Sequence, residues 1–191
     1  MPSSRIYHAS AAIGGAGDAA SATAIIVAGG RAHHADDSDG RARPSGGALL
    51  FDPYAHDGRW RAVAESMSAV RYSLSATSLS DGCAYAIGGM TELGFNPPLS
   101  CNVERYDPRT DHWQLLAPLP HGVGEHVCVA TDGQTLMVLG GRNSLSDRAL
   151  SIATFCLSYD SRAATGWQWE RRVLPPPYRR WIQNHAAAVV L

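Results

Sequence analysis

Short apolar runs alternate with turn-forming residues along most of this chain. Three of these runs end in a pair of glycines, at 24–30, 84–89 and 136–141. Each consists of a few β-branched or small apolar residues, which is the pattern of a buried β-strand. The dipeptides Asp81-Gly82 and Asp132-Gly133 precede two of the runs, and both are strong signals for a hairpin turn. The pattern therefore predicts an all-β chain of short strands.

The apolar runs belong to a longer repeating unit. After each Gly pair comes an aromatic-Asp pair, and after that a tryptophan, always in this order. The aromatic-Asp pairs are Phe51-Asp52, Tyr106-Asp107 and Tyr159-Asp160, and the tryptophans are Trp60, Trp113 and either Trp167 or Trp169. The Gly pairs begin at residues 29, 88 and 140, so successive pairs are 59 and 52 residues apart. A repeat of about 50 residues is typical of propeller proteins.

Four strands can be placed in each unit, with the tryptophans of the fourth strands packing between neighbouring sheets. The first unit is predicted to have strands at 6–13, 24–28, 48–51 and 60–63. The second has them at 72–79, 84–87, 102–106 and 113–116. The third has them at 126–130, 136–139, 153–159 and 167–171. The segment 184–191 resembles another first strand.

These features resemble the kelch repeat, in which a Gly pair closes the second strand of a blade, Tyr-Asp ends the third and Trp lies on the fourth. The matching positions are Gly29, Gly30, Asp52, Trp60, Gly88, Gly89, Tyr106, Asp107, Trp113, Gly140, Gly141, Tyr159, Asp160 and Trp169. The sequence of the middle unit from Val103 to Pro108 is most like that of the kelch-like adaptors, in which a propeller follows BTB and BACK domains. The resemblance implies a partial kelch β-propeller of three four-stranded antiparallel blades plus one strand of a fourth.

The expected organisation is repeat 1 at 5–66 with a long insert at 31–47, repeat 2 at 67–120, repeat 3 at 121–177, and the first strand of an incomplete fourth repeat at 178–191. Propellers close with about four to eight blades, because only closure hides the sheet edges at each end. Two explanations therefore stay open. The chain is a fragment of a larger propeller, or it forms a homodimer that completes a ring.

Composition excludes several classes of function. The formal charge of -1 gives no reason to expect nucleic acid or a membrane as partner. All 16 basic residues are arginine, so no lysine is present for a Schiff base or for ubiquitin attachment. The four cysteines show no metal-ligand spacing, which favours a reducing, cytoplasmic setting. No cofactor is expected.

The resemblance implies binding through the loops on one face of the propeller. The loops between blades contain Arg71, Tyr72, His121, His126, Tyr178, Arg179, Arg180 and Trp181, and the loops between second and third strands contain Arg31, Thr91, Glu92, Arg142 and Asn143. Arg, Tyr and Trp often dominate interface energies, and several Arg on one face would favour an acidic peptide. The expected function is a protein-protein interaction module, such as the substrate-receptor part of a ubiquitin-ligase adaptor.

Two further possibilities compete with this hypothesis. Some kelch-fold proteins are enzymes, including copper oxidases similar to galactose oxidase and a sialic acid mutarotase, so a sugar-modifying or oxidising enzyme is the alternative. The chain has no GxSxG or HExxH motif, which favours a non-catalytic role. The residues His33, His34, Asp36, Asp37 and Asp39 are dense enough to suggest a metal site, but their Gly- and Asp-rich insert has no apolar anchors, and a surface loop is favoured.

Overall fold

The computed structural model describes residues 4–14, 24–33, 40–54, 58–131, 133–143, 154–159 and 167–172. The regular elements in these ranges are all strands: β1 (Arg5–Ile6), β2 (Ala9–Ile13), β3 (Ala24–Ala28), β4 (Arg31–Ala32), β5 (Arg43–Pro44), β6 (Ala48–Phe51), β7 (Trp60–Ala62), β8 (Ser75–Ser78), β9 (Ala84–Ile87), β10 (Val103–Asp107), β11 (His112–Leu115), β12 (Val123–Gly124), β13 (Val127–Ala130), β14 (Thr135–Leu139), β15 (Arg142–Asn143), β16 (Thr154–Tyr159) and β17 (Trp167–Arg172). Within the described part of the chain, no helix has the length and apolar character needed to span a membrane.

Twelve of the strands form three antiparallel four-stranded sheets. Blade 1 has the order β2-β3-β6-β7, blade 2 the order β8-β9-β10-β11, and blade 3 the order β13-β14-β16-β17. Each strand pairs with the next strand of its blade in the chain, as expected for consecutive hairpins. The predicted all-β fold with four-stranded blades is confirmed.

The first strands of blades 1 and 2 are shorter than predicted. The predicted strands 6–13 and 72–79 begin three residues later in the structure, at Ala9 and Ser75. The cause is a left-handed residue ahead of each strand, with φ +56° at Tyr7 and +50° at Ser73. A non-glycine residue with positive φ breaks the extended backbone, so the residues before it leave the blade.

The residues that leave the blades form small additional sheets beside the Gly pairs. In blade 1 this sheet has the order β1-β4-β5, and in blade 3 it consists of β12 and β15. The long insert of repeat 1 was expected to have no apolar anchors, and this is wrong for its ends, because Ala32 and Ala42 are buried beside that sheet. The candidate metal ligands His34, Asp36, Asp37 and Asp39 lie outside the described residues.

The Gly pairs of blades 1 and 2 join each of these blades to the next. The second glycine donates its backbone N–H to the residue that leads into the next blade, from Gly30 to the Arg71 oxygen at 2.8 Å and from Gly89 to the Val123 oxygen at 2.7 Å. At the first glycine of the second pair, Gly88, φ is +59° and a Cβ atom would lie only 2.6 Å from the Val123 oxygen. Glycine is required there by both the backbone conformation and the close approach of the next blade.

Two tryptophans fill the spaces between the blades, as the sequence predicts. Trp113 of blade 2 is 6% exposed and packs in a core that blade 1 supplies with residues such as Leu50. Trp169 of blade 3 packs against the core between blades 2 and 3, and its indole N–H donates to the Ala117 oxygen at 2.9 Å. Trp60 of blade 1 is only half-buried.

In the third blade, the aromatic residue of the aromatic-Asp pair lies two residues away from the position that it has in the other blades. Tyr106 lies opposite Trp113 and pairs with Ala84, four residues before Gly88. In blade 3 the residue opposite Trp169 is Leu157, which pairs with the residue four before Gly140. Tyr159 lies two residues further along, opposite Trp167. Trp169 is therefore the equivalent of Trp113, whereas the prediction that Tyr159 is the equivalent of Tyr106 is wrong. Asp160 lies outside the described residues.

We expect the substitution Gly88→Ala to destabilise the fold by about 2–4 kcal/mol, since it adds left-handed strain to a clash with the next blade. The matched control is Gly40→Ala. Gly40 has φ +63°, but an added Cβ meets nothing within 4 Å. The control should therefore cost only about 1 kcal/mol, from strain alone. Chemical denaturation of the two variants measures the difference, and equal losses would show that contact between the blades at Gly88 is unimportant.

Candidate partner-binding face

A row of backbone turns lies where the chain enters each blade. The residues with left-handed backbone are Tyr7, Ser73 and Glu125, with φ of 56°, 50° and 56°. They occupy the same position in the three repeats and are linked to one another. The Ser73 N–H donates to the Tyr7 oxygen at 2.8 Å, and the Glu125 N–H donates to the Ser73 oxygen at 3.0 Å. Strained turns of this kind are often found at functional sites.

An aromatic and cationic group is built around Tyr72, next to this row. The centroid of the Tyr72 ring lies 6.2 Å from the centroid of the Tyr7 ring and 5.8 Å from the guanidinium carbon of Arg31. Its hydroxyl donates to the Glu92 backbone oxygen at 3.1 Å. Burial raises the pKa of the Tyr72 phenol, while the positive charges of Arg31 and Arg142 oppose that rise. We call the surface formed by Tyr7, Arg31, Tyr72, Glu92 and Arg142 the Tyr72 face.

The two arginines of the Tyr72 face are equivalent residues from different blades. Arg31 and Arg142 each follow a Gly pair, and the residue at that position in blade 2 is Met90, which is 2% exposed. Arg31 Nε donates to the Ala42 oxygen at 3.2 Å, and an Arg142 Nη donates to Asn96 Oδ1 at 3.1 Å. Among the described residues these bonds use one of the five N–H donors of each guanidinium. Both side chains are half-buried, so they are positioned without being enclosed.

The structure brings together some of the residues predicted to bind a partner. Arg31, Glu92 and Arg142 lie on the Tyr72 face, and Thr91 begins the loop that contains Glu92. Tyr72 lies among them but is only 8% exposed, so it positions its neighbours and offers little surface of its own to a partner. The half-buried His121 lies in the turn before β12, and the backbone of Asn143 belongs to β15. Tyr178, Arg179, Arg180 and Trp181 lie outside the described residues.

Sequence reasoning missed four residues of this region. Tyr7 and Glu125 were missed because nothing in the composition marks a left-handed turn at these positions. Leu93 and Phe95 are 43% and 95% exposed in the loop that follows Thr91. These two residues could have been predicted from the sequence, since they are apolar residues in a segment otherwise rich in Gly, Pro and Asn.

Arg71 was predicted to face a partner, and this is wrong because its side chain is completely buried. Its guanidinium donates to the Gly88 oxygen at 2.9 Å, to the Asn102 oxygen at 3.0 Å and to Glu104 Oε1 at 2.5 Å. The other carboxylate oxygen, Oε2, accepts the Ser68 N–H at 2.8 Å. Arg71 thus fastens the Gly pair of blade 2 to its third strand, and Glu104 neutralises the buried charge.

The residues equivalent to Arg71 and Glu104 are different in the other two repeats. In blade 1 the equivalent arginine, Arg5, also donates to two carbonyls, the Gly29 oxygen at 3.1 Å and the Gly47 oxygen at 2.7 Å. In blade 3 the equivalent residue is the buried Val123. The strand register places Leu49 and Phe155 at the positions equivalent to Glu104. In blade 3, apolar residue types therefore occupy both positions of the ion pair.

His126 was also predicted to contact a partner, and its burial between blades 2 and 3 contradicts this. It is 7% exposed, and its Nε2 lies 2.7 Å from the hydroxyl oxygen of Ser75. Burial, and to a smaller extent the positive charge of Arg71, lowers the pKa of His126 to about 4. Its equivalent in blade 2 is Leu74, which is an apolar core residue.

The cysteines with described side chains, Cys83, Cys101 and Cys128, are all free thiols, and Cys101 is only half-buried. Cys83 and Cys128 are buried free thiols, as the apolar runs around them predicted. Burial raises the pKa of Cys83 to about 12, and it also raises that of Cys128. Across the described ranges, no group of three or more His, Cys, Asp or Glu side chains could hold a metal ion.

Comparison with known proteins agrees with this architecture. A family described as the Kelch motif matches residues 71–120, which contain blade 2. This chain belongs to the kelch-repeat proteins. The kelch repeats are similar to those of mouse (Mus musculus) Kelch-like protein 38, with 30% identity over 137 residues, which is 72% of this chain and 22% of that protein. Kelch-like protein 25 of Xenopus laevis is 34% identical over 77 residues, or 38% of this chain and 13% of that protein.

A solved structure supports the propeller fold. The structure of YjhT superposes with a TM-score of 0.61 at 20% identity, covering 92% of this chain and 52% of that chain. The three kelch blades are thus a section of a β-propeller. The chain spans about a fifth of the length of the first Kelch-like relatives and about half of the YjhT chain.

The kelch repeats themselves suggest a test of the buried ion pair. We expect Arg71→Val and Glu104→Leu to destabilise the fold by about 3–5 kcal/mol each, because each leaves the other charge buried and unpaired. The double variant carries the apolar residue types found at these positions in blades 3 and 1. It should recover most of the stability. A double-mutant cycle in urea measures this recovery, and additive losses would contradict it.

The burial of His126 predicts a stability change with pH. In the unfolded chain a histidine binds a proton near pH 6.5, whereas folded His126 does so only near pH 4. The unfolded state therefore gains a proton first, and stability falls as the pH drops from 6.5 to 4, by about 3 kcal/mol from this residue. Below pH 4 its contribution is constant. The variant His126→Leu should show a shallower slope across this window, and an unchanged slope would contradict the assignment.

Proposed function

We propose that this chain is a non-catalytic module that binds another protein through the Tyr72 face. The observation that carries the proposal is the pair of half-buried arginines, Arg31 and Arg142, next to an aromatic pair formed by the exposed Tyr7 and the buried Tyr72. Tyr and Arg side chains held in place by their neighbours are the groups that most often dominate the energy of protein interfaces. The similarity to Kelch-like proteins supports the same function.

The charges of the face favour an acidic partner. A guanidinium can bind a carboxylate through two parallel hydrogen bonds, which gives both strength and orientation. Glu92 is exposed beside Tyr72, so the face is not uniformly positive. We therefore propose a partner that places individual carboxylates opposite Arg31 and Arg142. Thr91, His121 and Asn143 remain proposed contributors, as do the four residues at 178–181.

A more specific role follows from the resemblance to the kelch-like adaptors. We propose that the chain serves as the substrate-receptor part of a cytoplasmic ubiquitin-ligase adaptor. The absence of lysine from this chain suits this role, because the chain itself offers no side-chain amine for ubiquitin while it holds a substrate. This support comes from likeness and composition, whereas support for partner binding comes from the geometry of the face.

The test compares two charge-reversed forms of the protein as affinity baits. The first carries Arg31→Glu and Arg142→Glu. The matched control carries Arg61→Glu and Arg109→Glu, which change the same number of charges at side chains that are 53% and 65% exposed and pair with Asp111 and Asp107. Such exposed pairs contribute little to stability, and thermal unfolding checks that both variants fold.

We expect proteins from a cell lysate to be retained by the unmodified chain and by the control, and to be lost from the Arg31/Arg142 variant. For a purified partner, the loss of affinity should be at least about tenfold, or about 1.4 kcal/mol. Mass spectrometry of the retained proteins also shows whether they carry ubiquitin, as the adaptor role requires. Equal retention by both variants would overturn the proposed face.

A further inference from the structure

The loop between β9 and β10 projects apolar side chains into solvent beside the Tyr72 face. Phe95 at its tip is 95% exposed, and Leu93 is 43% exposed. Across the face, Ile6 and Tyr7 are 51% and 58% exposed. These four residues are half of the large apolar residues that are exposed in the described part of the chain. Single exposed apolar residues are normal on proteins, but Leu93 and Phe95 lie in one loop beside charged groups, and such a grouping indicates an interaction surface.

The loop is held in place at both sides. The Tyr72 hydroxyl donates to the Glu92 oxygen at 3.1 Å, and Arg142 donates to Asn96 Oδ1 at 3.1 Å. At its base the Thr91 N–H donates to the Pro98 oxygen at 3.2 Å, and Pro97 is buried. A loop fixed in this way loses little conformational freedom when it binds, so its exposed side chains can contribute most of their contact energy to affinity.

We propose that Phe95, with Leu93 beside it, is a projecting anchor that enters an apolar pocket on a folded partner domain. This inference rests on the proposed function and specifies the kind of partner. A ring that is 95% exposed must be surrounded on several sides to be buried, and an extended peptide lying along the face cannot surround it. A folded domain can do so with a concave, mostly apolar pocket.

The arginines specify the rim of that pocket. Arg142 contacts the anchor loop through Asn96, so its guanidinium lies beside the loop and would meet the edge of a pocket that encloses Phe95. Carboxylates at this edge would bind Arg142, and Arg31 would extend the same contact across Tyr72. The partner therefore has an apolar pocket with acidic residues on its rim.

The charges around the anchor favour a protein over a membrane. Glu92 is exposed and directly precedes Leu93, and Glu125 belongs to the same region. Carboxylates next to an inserting side chain are repelled by anionic lipid headgroups. Stable attachment to a bilayer also requires more apolar surface or more basic residues than one short loop provides.

The experiment places a photo-crosslinker at the tip of the loop. In the full chain Phe95 is replaced by p-benzoylphenylalanine, and in the control the same replacement is made at Tyr54, an aromatic residue that is 77% exposed after β6. After irradiation in lysate, mass spectrometry identifies both the crosslinked molecule and the attached residue. We expect at least about tenfold more product from position 95, attached to pocket residues of a folded domain in a protein that the Arg31/Arg142 variant loses.

A second measurement uses natural side chains. The variants Phe95→Ser and Tyr54→Ser each remove one exposed aromatic ring, and neither ring packs in the core. Phe95→Ser should weaken the binding of the purified partner at least about tenfold, and Tyr54→Ser less than about twofold. Equal effects of the two substitutions would overturn the anchor.

The outcomes separate this inference from the proposed function. Crosslinks to a disordered acidic segment would overturn the pocket and leave binding through the Tyr72 face intact. Crosslinks to lipid, or yields no higher than at position 54, would overturn the anchor. If the unmodified chain retains no protein that the Arg31/Arg142 variant loses, the proposed function itself fails.

Discussion

The first two Gly pairs each hold their blade against the next, and the rest of the described structure depends on this contact. The hydrogen bonds from Gly30 to Arg71 and from Gly89 to Val123 bring two backbones so close that no side chain fits between them. The interblade cores with Trp113 and Trp169 can form only at this separation. The loops that follow the pairs start from the same fixed points. The geometry of the Tyr72 face is therefore set by backbone contacts beneath it.

Arg71 shows how the chain fixes a Gly pair from inside a blade. A guanidinium can reach two carbonyl groups at once, and it joins Gly88 to Asn102 across the turn. The difficulty is its charge, which is costly to bury unless a carboxylate accompanies it. Glu104 supplies that carboxylate in blade 2, while blade 3 has Val123 and needs none. The ion pair is thus one solution to a structural requirement and does not indicate a binding site.

The sequence predicted most of the fold because the responsible interactions are local or periodic. Apolar runs, hairpin turns and the required Gly pairs depend on a few adjacent residues, so their strands could be placed closely. The errors arose where position depends on distant partners. Arg71 and His126 resemble loop residues until the next blade covers them. The two-residue shift of Tyr159 depends on strand pairing, which residue types do not reveal. The boundaries drawn between the repeats stay predictions.

The binding face could be predicted only in part, since it combines a fixed position with a variable residue. The position after each Gly pair is set by the blade contact, but its side chain is not needed for that contact. Blades 1 and 3 place Arg31 and Arg142 there, whereas blade 2 places there the buried Met90, whose backbone bridges Tyr72 and Leu99. The same backbone position thus carries an arginine in blades 1 and 3. In blade 2 it carries a buried methionine, directly before the loop that exposes Phe95. Because packing within the fold does not require arginine at this position, the residue there can vary to suit a partner.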